Sequence, residues 1–196
     1  FPTQDVKHVV EDILKLRFDV MIHEDFGFYS YAEHYVLGDV FVLASPDKEK
    51  GTLLELKGKG CRQMESYLLA QHRSWYDFLM DALIEGGVMK RLDLAINDMT
   101  GILDIPELTE KCNHEECISV FRSFKSYRSG ELVRSQEQDK YGMGNTLYIG
   151  SLKSEIYFCI YEKDYEQYVK YDIPIEDTKI KNRFEIRLKN ERAYYA

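Results

Sequence analysis

Apolar residues recur along the chain with two periods, and the switches between them mark out the elements. Val6, Val9, Val10, Ile13 and Leu14 follow helical spacing, with Thr3 placed to cap that helix. Tyr31 to Leu37, Val40 to Ala44 and Thr52 to Lys57 then read as three strands. Gly38-Asp39 is a tight hairpin signal, and Ser45-Pro46-Asp47 opens a second turn. From Arg62 to Ile84 the period returns to that of a helix. Met64, Tyr67, Leu68, Trp75, Phe78, Leu79, Ala82 and Leu83 form one stripe, and Gly86-Gly87 ends it. Trp75 lies on this stripe and is expected in the core. Arg91 to Asn97 alternates again, with Leu92, Leu94 and Ile96 on one side and Arg91, Asp93, Ala95 and Asn97 on the other. Pro106 sits in the first turn of a short helix running towards Lys111. Val120 to Arg128, Thr146 to Gly150, Ile156 to Lys163 and Arg183 to Lys189 read as further strands. The polar stretch from Glu131 to Gly144 reads as a mobile loop. Hairpins mixed with long helices predict an α+β domain, with helices packed on one face of a largely antiparallel sheet.

Composition narrows this picture. The chain has 196 residues, enough for a substantial core, and its 44% hydrophobic content is ordinary for a globular protein. No apolar run approaches the roughly 18 residues of a membrane helix. Cys61, Cys112, Cys117 and Cys159 match no zinc spacing, and a helix end with scattered thiols is the better reading of Cys112 and Cys117 around His114, Glu115 and Glu116. Reduced cysteines and a cytoplasmic location follow as expectations. A net charge of −8 argues against a tight, non-specific duplex binder but leaves room for a carboxylate metal site. No strand leads into a Gly-rich phosphate loop, so an NTPase is not expected.

Candidate chemistry concentrates at the C-terminal end. In the last strand Phe184, Ile186 and Leu188 point one way, while Arg183, Glu185, Arg187 and Lys189 point the other. A helical turn follows with the pair Tyr194-Tyr195. A tyrosine hydroxyl can attack a phosphodiester and hold a covalent phosphotyrosine. On a helix the two side chains diverge by about 100°, so one of them is expected to face the sheet. If the Arg91 strand neighbours the last strand, Asp93 and Glu185 share a polar face. Glu162, at the end of the Ile156 strand, could add a third carboxylate for a hard divalent ion. The plain alternative is a cross-strand pair between Asp93 and Arg187. His8, His23, His34, His72 and His114 form no HxH or HxxxH pair, which speaks against a histidine metal site.

Four segments occur in order: Arg91-Leu-Asp-Leu-Ala-Ile-Asn-Asp98, Tyr148-Ile-Gly-Ser-Leu-Lys-Ser154, Ile160-Tyr-Glu-Lys163, and the run from Arg183 to Ala193. Together they resemble the replication initiation factor family, which holds rolling-circle plasmid initiators and the relaxases of integrative conjugative elements. The closing motif is more similar to the conjugative-element relaxases. The resemblance covers the second half of the chain, and the layout of the first half is compatible with it.

The resemblance implies a fold related to HUH endonucleases, a central antiparallel sheet with helices, in which an acidic metal site replaces the histidine pair. It implies a DNA relaxase that nicks one strand at an origin by transesterification. The products are a 5′-phosphotyrosine and a free 3′ hydroxyl, which start conjugative transfer or rolling-circle replication. Residue by residue, Asp93 and Glu185 become ligands of Mg²⁺ or Mn²⁺, with Glu162 as a third. Lys163 and Arg187 hold the phosphate or lower the tyrosine pKa. Tyr194 is favoured as nucleophile, with Tyr195 next. Tyr141 and Lys153 contact DNA, while sheet packing is the better role for Tyr148. The partners implied are single-stranded or cruciform and supercoiled origin DNA, and a coupling protein or helicase. Residues 1–196 are expected to be a single catalytic domain from a longer protein, because the helix-turn-helix and C-terminal extension common in relatives are not in this sequence. The alternative reading is a non-catalytic DNA- or partner-binding module of the same fold.

Overall fold

The computed structural model of the protein describes residues 1–47, 49–128 and 144–196. The expected loop from Glu131 and its Tyr141 lie outside the described residues. The chain forms two compact units, Phe1–Val88 and Met89–Ala196. Each carries its own antiparallel sheet.

The first unit opens with α1 (Val6–His8), which continues as a π-helical turn, Val9–Ile13. Its cap is Asp5, whose carboxylate accepts from the His8 amide; the Thr3 hydroxyl instead accepts from the Asp5 amide. Four strands follow as a meander: β1 (Ile22–Glu24), β2 (Glu33–Leu37), β3 (Val40–Ala44) and β4 (Leu53–Leu56). The β2–β3 hairpin turns at Gly38-Asp39 as the sequence predicts, with Leu37 opposite Val40. Gly38 adopts φ +60, a left-handed conformation that favours glycine. Two helices, α2 (Gly58–Ala70) and α3 (Trp75–Ile84), close the unit. Val9, Val10 and Ile13 pack with Val40, Val42, Met64 and Leu68 into its core, each buried side chain contributing about 1.5–3 kcal/mol. Trp75 packs against this core as expected.

The single helix expected from Arg62 to Ile84 is therefore two. His72 takes φ +55, and Ser74 starts α3 with a capping box to Asp77. The break is anchored from the first helix: Gln71 donates to the carbonyls of Leu14 and Lys15, and Arg73 to that of Ile13. These bonds satisfy helix-end carbonyls that an unbroken helix would leave open.

The second unit contains β5 (Arg91–Asp98), α4 (Ile105–Asn113), β6 (Phe124–Arg128), β7 (Asn145–Ile149), β8 (Ile156–Glu162), α5 (Lys163–Tyr171), β9 (Asn182–Lys189) and α6 (Glu191–Tyr194). The strand order is β5-β9-β8-β7-β6, antiparallel throughout. The last strand thus lies inside the sheet, beside the first. Ile105 and Leu108 of α4 pack on Leu147, Ile160 and Phe184, which covers one face as expected. Asp104 caps α4 by accepting from the Glu107 amide, and Pro106 stands in its first turn. The helix α5 has no counterpart in the sequence reading. Its Lys163-Asp-Tyr-Glu-Gln-Tyr-Val-Lys-Tyr171 continues directly from the strand pattern, and Glu166 holds the helix by pairing with Lys163 and Lys170 one turn to either side.

Candidate active site

Strand register decides which side chains of the second unit share a face, because residues directly opposite in an antiparallel pair point the same way. Asp93 lies opposite Arg187, and Ala95 opposite Glu185. Across the next ladder Tyr157 lies opposite Arg187, Cys159 opposite Glu185 and Tyr161 opposite Arg183. Tyr148 of β7 and Lys125 of β6 continue the same face. This polar face is the one turned away from the α4 core. Asp93 and Glu185 are on it together, as their alternation predicts.

A connected network occupies its centre. The Tyr161 hydroxyl donates to Glu185 Oε1 at 2.9 Å. Arg187 donates to Glu185 Oε2 through Nη2 at 2.7 Å and Nε at 3.0 Å. The same Nε lies 3.7 Å from Asp93 Oδ2, and Arg91 grips Asp93 with bonds of 2.9 and 2.7 Å. Burial works against the charge on Arg187, but its bonds to Tyr157 and Glu185 outweigh that and keep it protonated. Burial, reinforced by the Glu185 charge, pushes Tyr161 well above the usual tyrosine range, so its hydroxyl stays a donor. Cys159 is pushed up to about 11 by burial and is a neutral thiol.

Glu162 does not join this network. It shares the opposite face with Ile156, Phe158 and Ile160, and its Oε2 accepts from the Asn145 amide at 2.6 Å and side chain at 2.9 Å. The three-carboxylate arrangement expected from the sequence is thereby reduced to two. Among the described residues no group of three or more His, Cys, Asp or Glu side chains is placed to hold a metal. The donor chemistry of Asp93 and Glu185 suits a hard divalent ion, but the Arg187 guanidinium now stands between them as the competing cation. Both sequence alternatives, shared carboxylates and an Asp93–Arg187 pair, are thus present at once.

The two ends of β9 differ. At the Asn182 end, Lys163 pairs with Glu166 and lies over the Tyr161 ring, 5.5 Å from its centroid. At the Lys189 end the chain turns into α6 through Asn190, at φ +48. The eight residues of β9 separate these ends by roughly 24 Å at the usual strand rise, so Lys163 is not brought to the tyrosines. Arg187 lies nearer the Lys189 end, two residues before it in β9. Lys153 also falls at this end, exposed in the β7–β8 turn. That turn is tied to β9 by the Lys189 amide to Glu155 and by Lys189 Nζ to the Leu152 carbonyl, at 2.8 and 2.7 Å. Arg91 opens β5 opposite Lys189. The Lys189 end therefore gathers Arg91, Lys153, Arg187 and Lys189 among the carboxylates of Asp93, Glu155, Glu185 and Glu191. Roles for Arg91, Lys189, Tyr157 and Tyr161 are not legible from alternation, which cannot say which strand lies alongside.

Helix α6 turns one side inward. Ala193 is fully buried, Tyr194 is 47% exposed and Tyr195 81% exposed, as expected for steps of about 100° away from the buried position. Their rings meet edge to face, 5.2 Å apart. Tyr194 is the less exposed of the two. His34, one of two strand histidines with His23, is buried in the first unit with its Nδ1 2.6 Å from the Phe26 carbonyl and takes no part. Among the described residues no helix is long and apolar enough to cross a membrane.

Residues 87–196 match the family model described as replication initiation factor, and residues 1–81 match one described as rolling circle replication initiation protein N-terminal domain. The second match begins two residues before the second unit does. A Bacillus subtilis (strain 168) protein named "Putative DNA relaxase NicK" is 46% identical over the whole of this chain. The chain spans 54% of that relative's length. A solved rolling circle replication initiator protein from Geobacillus stearothermophilus superimposes with a TM-score of 0.77 at 26% identity, covering 98% of this chain and 68% of that one.

Proposed function

The chain belongs to the replication initiation factor family, and from that premise we propose that it is the nicking part of a DNA relaxase or rolling-circle initiator. Its substrate is one strand of origin DNA. The Tyr194 hydroxyl attacks the scissile phosphorus, the bond to the 3′ oxygen breaks, and that oxygen leaves as a hydroxyl after taking up a proton. The 5′ phosphate remains on the tyrosine, so the reverse attack by a 3′ hydroxyl can reseal the strand. The observation that carries this reading is the position of Tyr194, half-exposed on a short helix that directly follows β9, the strand bearing Glu185 and Arg187.

The chain's own residues have separable tasks in this reaction. Arg187, held charged, and the exposed Lys153 neutralise the phosphate and its neighbours. Tyr161 fixes Glu185 by its hydrogen bond, and Arg91 fixes Asp93. Asp93 and Glu185 would hold Mg²⁺ or Mn²⁺ once Arg187 turns from them to the phosphate. A bound divalent ion supplies Lewis-acid polarisation of the phosphoryl oxygen. Tyr195, more exposed, is assigned no chemistry. Transfer to a conjugative recipient and plasmid replication use the same step.

The test is incubation of the protein with origin single-stranded DNA and Mn²⁺, followed by a denaturing gel. A covalent adduct that persists in Tyr195→Phe and disappears in Tyr194→Phe is the expected result. An adduct lost only in Tyr195→Phe would move the nucleophile by one residue. Absence of any adduct, with the longer protein as well, would leave the fold as a binding module. The carboxylate assignment has a separate readout in Mn²⁺ binding followed by electron paramagnetic resonance. Glu185→Gln is expected to weaken it at least tenfold, and Glu162→Gln to leave it unchanged.

A further inference from the structure

Away from the polar face, the C-terminal end of α4 brings two thiols together. The helix stops at Asn113, and Glu115 at φ +61 folds the chain back. The Glu116 amide bonds to the Lys111 carbonyl at 2.9 Å and the Glu115 amide to that of Cys112 at 3.3 Å, which locks the reversal. Cys117 is thereby laid against Cys112, with a sulfur–sulfur separation of 3.4 Å. Their settings differ. Cys112 packs against the Ile105 and Leu147 cluster under α4, whereas Cys117 is exposed. A sequence separation of five residues would not by itself pair them; the left-handed residue at the helix end does.

We propose that Cys112 and Cys117 form a reversible dithiol–disulfide pair, a modification site independent of the nicking chemistry. The co-reactant is a low-molecular-weight disulfide of the glutathione type. The Cys117 thiolate attacks one of its sulfurs, forming a mixed disulfide and releasing the first small thiol. The Cys112 thiolate then attacks Cys117 Sγ, forming the intramolecular bond and releasing the second. Two protein S–H groups are oxidised by two electrons, and the small disulfide is reduced to two thiols that carry the two protons. Closure asks the sulfurs to move from 3.4 Å to about 2.05 Å, within reach of a helix-end side chain. Exposure selects Cys117 as the first to react. Burial and the adjacent Cys117 hold the Cys112 thiol up at about 11, which makes it the resolving partner. The other two thiols are set differently: Cys159 is buried in the sheet, and the Cys61 thiol donates to the Leu56 carbonyl at 3.4 Å. In a reducing compartment such a pair is a transient, sensing bond and not a structural one. Closed, it tethers the start of the segment that leads into β6, the strand that brings Lys125 and Tyr127 to the polar face.

The experiment equilibrates the protein with mixtures of reduced and oxidised glutathione, traps free thiols by alkylation and maps them by mass spectrometry. The expected outcome is joint loss of alkylation at Cys112 and Cys117 with one midpoint, a mass loss of two hydrogens and a cross-linked 112–117 peptide. Cys112→Ser should stop at a glutathione adduct on Cys117. A stable adduct on Cys117 in the unaltered protein, or oxidation of Cys61 or Cys159 ahead of the pair, would overturn the proposal. Proteolysis of residues 118–123 should slow at least several-fold in the oxidised form; an unchanged rate would remove the tethering role.

Discussion

At the scale of single residues, the polar face of the second unit is organised by Arg187. It holds Glu185 directly, approaches Asp93 and lies 5.9 Å from the Tyr157 ring centroid, so one guanidinium sets the spacing of two carboxylates. Tyr161 completes the arrangement from β8. Tyr161→Phe keeps the ring but removes the donor to a charged acceptor, and is expected to cost about 1–2 kcal/mol in chemical denaturation. Asp93, Glu185 and Arg187 were legible in the sequence because alternation alone puts them on one side. Tyr161 was not, since its partner depends on β8 lying beside β9. A second residue-scale feature sits in the first unit. His8 places one ring nitrogen 2.8 Å from Asp12 and the other 3.0 Å from Glu85, and these two bonds raise its pKa above the ordinary 6.5. The folded state thus binds the proton more tightly than the unfolded one. The resulting stability is fully present below 6.5 and is lost as pH rises through the higher folded value. Melting temperature should therefore fall as pH rises above 6.5 in the unaltered protein, and His8→Gln should flatten that part of the profile.

At the scale of elements, termini were decided by side chains that the apolar pattern does not weigh. The stripe from Met64 to Leu83 runs on through residues 71–74 almost in phase, and so reads as one helix. The break is written in Ser74-Trp-Tyr-Asp77, a capping box, and in the polar side chains of Gln71 and Arg73 that reach back to the first helix. Ser74→Ala removes the acceptor for the Asp77 amide and should destabilise the first unit by about 1 kcal/mol, read from the shift of its denaturation midpoint. Asp98 plays a comparable part after β5. It accepts from the amides of Thr100, Gly101 and Leu103 and from the Asn182 side chain. Although burial opposes its charge, those bonds hold it well below the usual carboxylate range. It fastens the loop before α4 to the first residue of β9, a link between residues far apart in the chain that no local pattern announces.

At the scale of the whole molecule, the net charge of −8 disfavours a long duplex, and at the Lys189 end of the second sheet Arg91, Lys153, Arg187 and Lys189 alternate with Asp93, Glu155, Glu185 and Glu191. Lys153 is exposed there, which suits a contact with a single strand of DNA at one position. Lys153→Ala is expected to weaken single-stranded DNA binding by the same factor on origin and unrelated sequences, and to reduce the logarithmic salt slope by about 0.7, as fluorescence anisotropy over a salt series would show. Equal salt slopes for the two proteins would remove Lys153 from the DNA path. The division into Phe1–Val88 and Met89–Ala196 was not legible either, because both halves alternate hairpins and helices in the same style and only the contacts separate them.

Sequence by itself determined the α+β class, nearly every strand, the one-sided polarity of β5 and β9, and the tyrosine pair that follows them. These are local properties: side-chain alternation, turn residues and helical period act over a few neighbours. Tertiary structure decided that β9 lies beside β5, that Glu162 faces away from Asp93 and Glu185, that Lys163 stands at the far end of β9 from Tyr194, and that Cys117 meets Cys112. Those outcomes depend on register and on the order of strands in a sheet. Both are fixed by long-range burial of the apolar face, and a single residue of register would have exchanged its two sides.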